Sequence, residues 1–418
     1  MNKSTLGLLL LLLSCWTALP ISANTTEVTI AGWGGNDVVV VNKLVSEVMV
    51  DELKRAGITV KYLPIEGDFS QYIINSLSAN TAPDAFYIDT VFATPLIKSG
   101  KVAAIGPSLK ILSESIIPNL NQAFSAGKLY GIAKDFNTLA LLYNKDVFDD
   151  AKVAYPTDDD NWDQLREKLL AVQAALGTEV SGICIIPDYN RFAPFALATG
   201  WKPFNEKGKT ILDANFERAF TFYTGLVTKD KVGILSTDLG QIWSGGCFAT
   251  EKTAITFEGN WISGYLRDNA NNLLYGTTLM PKDPVSGQRG NLLFSVAWGL
   301  NANSKNMAAT EKAVQILTSK KAQEWVLDSG LALPSRQDLA NSAYFSKTDP
   351  SNQLAKKIFD GASRGYIEPY AFDEYGLAWS TPINEALTAV LLGPMEPAQA
   401  IKIAQQKYDA MAEKRSMK

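Results

Sequence analysis

Short polar residues, most with an aromatic ring close by, recur at five places in the sequence. They are Trp33-Gly34-Gly35-Asn36-Asp37, Asp89-Thr90, Lys134-Asp135-Phe136-Asn137, Asp188-Tyr189-Asn190-Arg191-Phe192 and Glu258-Gly259-Asn260-Trp261. Carboxylates and carboxamides accept hydrogen bonds, guanidinium and amide groups donate them, and indole or phenol rings add flat apolar faces. A sugar asks for that mixture, with C–H faces to stack and a rim of hydroxyls that both donate and accept. An unpaired buried polar group costs about 1–3 kcal/mol, so such a set discriminates between hydroxyl patterns. Each residue alone has an ordinary structural use, tryptophan in a core and aspartate as a cap after a strand. The recurrence carries the reading.

Other chemistries are excluded or fail on spacing. Histidine is absent from all 418 residues, which removes Ser-His-Asp and Cys-His nucleophiles, the two-histidine zinc signature and imidazole proton shuttles. Gly208-Lys209-Thr210 lacks the upstream glycine of a phosphate loop, since Pro203 stands there. Ser125-Ala126-Gly127-Lys128 has none of the companion motifs of penicillin-recognising enzymes. Gly32, Gly34 and Gly35 are followed by Asp37 where a dinucleotide fingerprint needs its third glycine. Asp158-Asp159-Asp160 lacks the glycine and glutamate of a calcium loop and reads as helix-capping acid, so no metal and no cofactor is expected.

The elements that must position these residues follow a regular rhythm. Val28 to Trp33, Ile58 to Pro64 and Ala85 to Ile88 read as strands, separated by helices to about Ala56 and from Phe69 to Ala79. Asn36 or Asp37 is placed to cap the first helix. Further strands are expected at Gly182–Ile186, Ala254–Phe257, Thr278–Pro281 and Val296–Leu300, and a mostly helical last hundred residues. Apolar strands alternating with helices predict an α/β fold with parallel sheets covered on both faces. The polar groups then fall at the carboxyl ends of strands, where ligands bind in open α/β sheets.

Composition fixes the broad class. The chain is 46% hydrophobic and 20% charged with a net charge of −4, a balance that argues against nucleic acid or anionic lipid as partner. Met1-Asn2-Lys3-Ser4, the leucine run from Leu6 to Leu13 and Ile21-Ser22-Ala23 have the order of an export signal covering 1–23. Leu12-Leu13-Ser14-Cys15 also resembles a lipobox, which would leave Cys15 acylated. In an oxidising compartment Cys184 and Cys247 are either a disulfide or two buried thiols.

Several longer segments occur in a telling order. They are Pro83-Asp84-Ala85-Phe86-Tyr87-Ile88-Asp89 before Gly100-Lys101-Val102, Gly127-Lys128-Leu129-Tyr130-Gly131-Ile132, and Leu142-Tyr143-Asn144-Lys145-Asp146-Val147-Phe148. Asn161-Trp162-Asp163-Gln164-Leu165, Ala254 to Trp261, Leu333-Pro334-Ser335-Arg336 and Glu385-Ala386-Leu387 follow. In these the chain resembles family 1 of the bacterial extracellular solute-binding proteins, which includes maltose- and trehalose-binding proteins.

The resemblance implies a two-lobed, type II-like periplasmic binding protein fold, with 24–135 plus 286–338 as one lobe and 136–285 plus 339–418 as the other. It implies a monomer that closes on its ligand like a hinge, performs no chemistry, and delivers the ligand to an ABC permease. Matched position by position, Trp33, Asp37 and Asp89 belong to strand-end loops of the first lobe. Asp135 and Asn137 match the crossing-segment acid, Tyr189 and Arg191 the aromatic loop of the second lobe, Trp261 the stacking tryptophan and Arg336 a late arginine.

Ala133, Asn137 and Ser295-Val296-Ala297-Trp298 depart from the family pattern. Trp298 is expected to fill space that a longer oligosaccharide would use. That favours a mono- or disaccharide or a glycosylated polyol, such as glucosylglycerol, sucrose or trehalose. Two rivals stand beside this reading. One is the same fold caging a polyamine with Asp37, Asp89 and Asp135, and the other is a secreted glycoside-active enzyme using Glu258.

Overall fold

A computed structural model describes residues 25–330 and 332–416. The expected leader and Cys15 lie outside the described residues. Thirteen strands appear among them in chain order: β1 Thr26–Trp33, β2 Ile58–Ile65, β3 Ala85–Asp89, β4 Val102–Ala103, β5 Gly131–Asn137, β6 Ala140–Asn144 and β7 Ser181–Ile185. They continue with β8 Gly233–Leu235, β9 Thr253–Glu258, β10 Tyr275–Thr278, β11 Gly290–Asn301, β12 Leu333–Pro334 and β13 Tyr366–Pro369. One sheet runs β12-β5-β11-β3-β1-β2, with β4 and β13 also on β11, and the other runs β10-β6-β9-β7-β8.

The two sheets define the two lobes, and their order explains the mixed topology. β1 pairs parallel with β2 and β3, and β7 parallel with β8 and β9, as apolar strands separated by helices predict. The expectation of wholly parallel sheets is corrected by β11, which enters antiparallel between β3 and β5 as the chain returns from the other lobe. Fully buried Val28, Ile30, Phe86, Ile88 and Leu300 centre one core, and Phe192, Phe195, Phe220, Ile255 and Trp379 the other. Along β6 the side chains alternate between them, with Ala140 and Leu142 in the first and Leu141 in the second.

Local signals account for most boundaries. Asn161 caps the helix Trp162–Leu176 reciprocally with Gln164. The neighbouring acids each meet a lysine, Asp158 with Lys357, Asp159 with Lys282 and Asp160 with Lys168. The first helix departs from expectation. It starts at Asn36 after Gly35, whose φ of 62° glycine adopts without strain, and no side chain caps it. A π-helical turn at Leu44–Val48 then interrupts it. The strand expected at Thr278–Pro281 ends at Thr278, because β10 is set earlier by pairing with β6. No helix among the described residues is long and apolar enough to cross a membrane.

The lobes are joined tightly at one point. Only Thr138 and Leu139 separate β5 from β6. The buried Asn291 accepts from the Leu139 N–H at 3.0 Å and donates to its carbonyl at 2.8 Å, and the Thr138 hydroxyl donates to the Ile358 carbonyl at 2.8 Å.

Candidate functional site

On the first lobe an acidic group forms around a β-bulge. Val296 lies opposite Asp89 on β3 and Asp135 on β5, and the register slips between Val296 and Ala297, leaving Lys134 as the extra residue. Neighbours on a regular strand point to opposite faces. Here the bulge turns them together, so that Lys134 Nζ donates to Asp135 and, at 3.0 Å, to Asp37 Oδ1. The Tyr87 hydroxyl donates to the same Asp37 oxygen at 2.6 Å, and the Lys134 ammonium lies 4.5 Å from the Tyr87 ring centroid. Trp33 meets Tyr87 edge-on at 5.5 Å.

Burial and charge set the protonation here. Burial pushes the Asp89 carboxyl up to about 6, helped by the charge of Asp135 and opposed by the Val91 N–H that donates to it at 2.8 Å. Burial also raises Asp135, while the Lys134 charge pulls it back. Burial pulls Lys134 down, but Asp135 and Asp37 outweigh it and hold the ammonium above its usual value.

On the second lobe Glu258 ends β9 with no exposed surface. Its Oε2 accepts from Arg191 Nη2 and from the Trp261 indole, each at 2.7 Å. Its Oε1 accepts from Arg191 Nε at 3.2 Å, the Ser244 hydroxyl at 2.5 Å and the Gly245 N–H at 3.1 Å. The Arg191 guanidinium lies 5.6 Å from the Trp261 ring centroid, and Phe294 of β11 meets that ring edge-on at 5.6 Å. A side chain at Gly259 would occupy the space of the benzo ring, 2.5 Å from Cζ3. So held, Trp261 remains 38% exposed.

The two groups are linked across the junction. Asn137, at the end of β5, accepts from the Asn260 N–H at 2.8 Å. Tyr370 stacks obliquely on Phe294 at 5.0 Å, and its hydroxyl, raised by burial, feels the charges of Asp188, Asp89 and Arg191. Trp33, Asp37 and Asp135 thus share contacts through Tyr87 and Lys134, Arg191 and Trp261 share Glu258, Asn137 holds the loop before Trp261, and the charge of Asp89 acts on Tyr370 between the two groups. The arrangement offers carboxylate acceptors on one side and an exposed indole on the other.

Three expected residues are used elsewhere. Tyr189 is fully buried, its ring edge-on to Phe372 and Trp379. Trp298 is buried against Tyr87, on the row beneath the acidic group, so it does not project as a size limit. Arg336 donates to Asp338 and lines a surface depression with Met49, Ile111 and Lys321, none of which touches the acidic group or Trp261. Conversely Tyr87, Phe294 and Tyr370 lie outside the polar groups read from the sequence, and Lys134 and Glu258 belong to those groups without a binding role assigned to them there. Lys134, next to Asp135, and Glu258, three residues before Trp261, carried a local signal.

Cys184 of β7 is paired with Cys247 of the helix Ser244–Ala249 in the structure.

Comparison with known proteins agrees with the fold. A binding protein of Brucella abortus (strain 2308) is 23% identical over 372 residues, 87% of this chain and 88% of its own. An ABC substrate-binding protein of Listeria monocytogenes, solved in complex with cycloalternan, superposes with a TM-score of 0.77 at 21% identity, covering 93% of this chain and 99% of that one. The sugar-binding protein MalE of Xanthomonas citri superposes with a TM-score of 0.77 at 17% identity, covering 94% and 98%. Residues 49–353 match the family of bacterial extracellular solute-binding proteins, and the chain belongs to that family.

Proposed function

We propose that this chain captures a small carbohydrate between its lobes, hands it unchanged to an ABC permease, and works as a monomer. The observation that carries this is the exposed Trp261 indole, fixed by Glu258 and Arg191 and linked to the Asp37–Asp89–Asp135 group. A pyranose stacked on the indole would present its hydroxyl rim to these carboxylates. The sugar-binding neighbours support the class of ligand. With Trp298 buried, size is left to experiment, and glucosylglycerol, sucrose and trehalose head the candidates.

The polyamine rival is weakened because Lys134 already supplies the cation among Asp37, Asp135 and the Tyr87 ring. The enzyme rival is weakened because both oxygens of the buried Glu258 are occupied by donors from Arg191, Trp261, Ser244 and Gly245, which leaves neither oxygen facing a substrate. Thermal unfolding against mono- and disaccharides, glucosylglycerol, a linear tetrasaccharide and spermidine tests the proposal. Ligand at a hundred times its Kd adds about 2.7 kcal/mol to the folded state. A shift with one sugar class is expected, and a shift with spermidine alone would overturn the reading. Export by 1–23, with release or with acylation of Cys15, is part of the same proposal. The intact mass of the protein from its native host separates the two.

A further inference from the structure

We propose that Glu258 is the positioning residue of the Trp261 stacking surface, and that the Cys184–Cys247 bond acts on the ligand through it. This rests on the carbohydrate reading above. A single oxygen, Oε2, takes both the indole N–H and the guanidinium N–H at 2.7 Å. The angle of the ring and the place of Arg191 beside it are therefore set together. The second oxygen takes donors from Ser244 and Gly245, the first residues of the helix Ser244–Ala249.

That helix is where the disulfide enters. Cys247 lies one turn after Ser244 and is bonded to Cys184 on β7, which pairs parallel with β9, the strand that ends at Glu258. The covalent link ties β7 to the helix, and hydrogen bonds from Ser244 and Gly245 to Glu258, and from Trp261 to Glu258, carry that tie on to the indole. Charge-assisted bonds to a fully buried carboxylate are strong but geometrically demanding. A helix free to drift would release Ser244 and Gly245 and let the carboxylate turn, and the indole with it. Gly259 adds the opposite constraint, since the ring sits in the space a side chain there would need.

The test uses the mature protein labelled with 5-fluorotryptophan, in which the Trp261 resonance is assigned by its loss in Trp261→Phe. Glu258→Gln, Ser244→Ala and the double variant Cys184→Ala/Cys247→Ala are each titrated with the sugar found in the thermal screen. Glu258→Gln is expected to shift or broaden the Trp261 resonance and weaken binding about tenfold or more. Ser244→Ala and the cysteine double variant are expected to move the same resonance and weaken binding about threefold, with the other fluorotryptophan signals in place. If the melting temperature falls while the Trp261 resonance and the Kd stay at wild type, the proposal is overturned and Glu258 is only structural. Should Glu258→Gln fail to fold, the other two variants decide alone. If the wild type binds no sugar the carbohydrate reading fails, whereas the resonance shifts still judge the positioning role.

Discussion

At the scale of single residues, Asp89 has the most distinctive chemistry. Its folded-state value of about 6 lies above the roughly 3.9 of an unfolded chain, so the folded protein holds this proton more tightly. The stability it contributes is therefore present below about pH 4 and lost as pH rises through 6. Asp89→Asn should be more stable than the wild type near neutral pH, with the gap closing between about pH 6 and 4. Ligand binding should run the other way, because a sugar hydroxyl donating to Asp89 needs the carboxylate. Titration calorimetry between about pH 5 and 8 is expected to show affinity falling below 6 in the wild type and staying flat in Asp89→Asn. Identical profiles in the two proteins would place Asp89 outside the binding site. Trp261→Ala tests the other wall. Loss of about 1.5–3 kcal/mol of buried ring contact predicts binding weaker by roughly ten- to a hundredfold, and an unchanged Kd would move the stacking surface elsewhere.

The element that matters most is the bulge in β5. It brings Lys134 and Asp135 to one side, and the three charges Asp37, Lys134 and Asp135 stand or fall together. Lys134→Met leaves two carboxylates facing each other. The cost should lie at the low end of the about 3–5 kcal/mol for breaking a buried ion pair, because both aspartates keep some contact with water. Urea unfolding measures it, and adding Asp135→Asn should recover part of the loss. No recovery would mean that Lys134 acts by packing on Tyr87 alone. The bulge also shows what the sequence concealed. The strand ends at Trp33, Asp89 and Glu258 were legible because turn and cap residues follow apolar runs, whereas β5, with Lys134 and Asp135 inside it, offers no such run before Asn137. The side chains behind them were not. The direction of Lys134 depends on register with Val296, a strand far along the chain. Trp298 reads as a site residue because a strand covered on both faces gives no pattern telling an aromatic under a ligand from one in a core, and Tyr189 because the resemblance of its loop does not show that it opens a helix with its ring turned into the core. The role of Glu258 needed donors from Arg191 and Ser244, which no local motif announces.

For the whole molecule, the question is where a closing motion turns. β5 passes into β6 through Thr138 and Leu139 alone, and β11 and the helix Pro350–Gly361 meet the chain at the same point through Asn291 and the Ile358 carbonyl. A hinge needs backbone that can change its dihedral angles. These residues are buried and pinned, so in the proposed closure they would act as a fixed pivot, with rotation taken up in the longer passage between β10 and β11 and in the segment after β12. Asn291→Leu keeps roughly the same volume but leaves the Leu139 N–H and carbonyl without partners, at about 1–3 kcal/mol each. The unliganded variant should then sample wider openings and show a larger radius of gyration in solution scattering. Saturated with sugar, it should contract to the same size as the wild type, because the site residues are untouched. Its Kd should rise about three- to tenfold, since closure must order a looser junction before the contacts form. A variant that is less stable yet equal to the wild type in both unliganded size and Kd would show that the pivot lies elsewhere, with Asn291 serving only to bury the crossing.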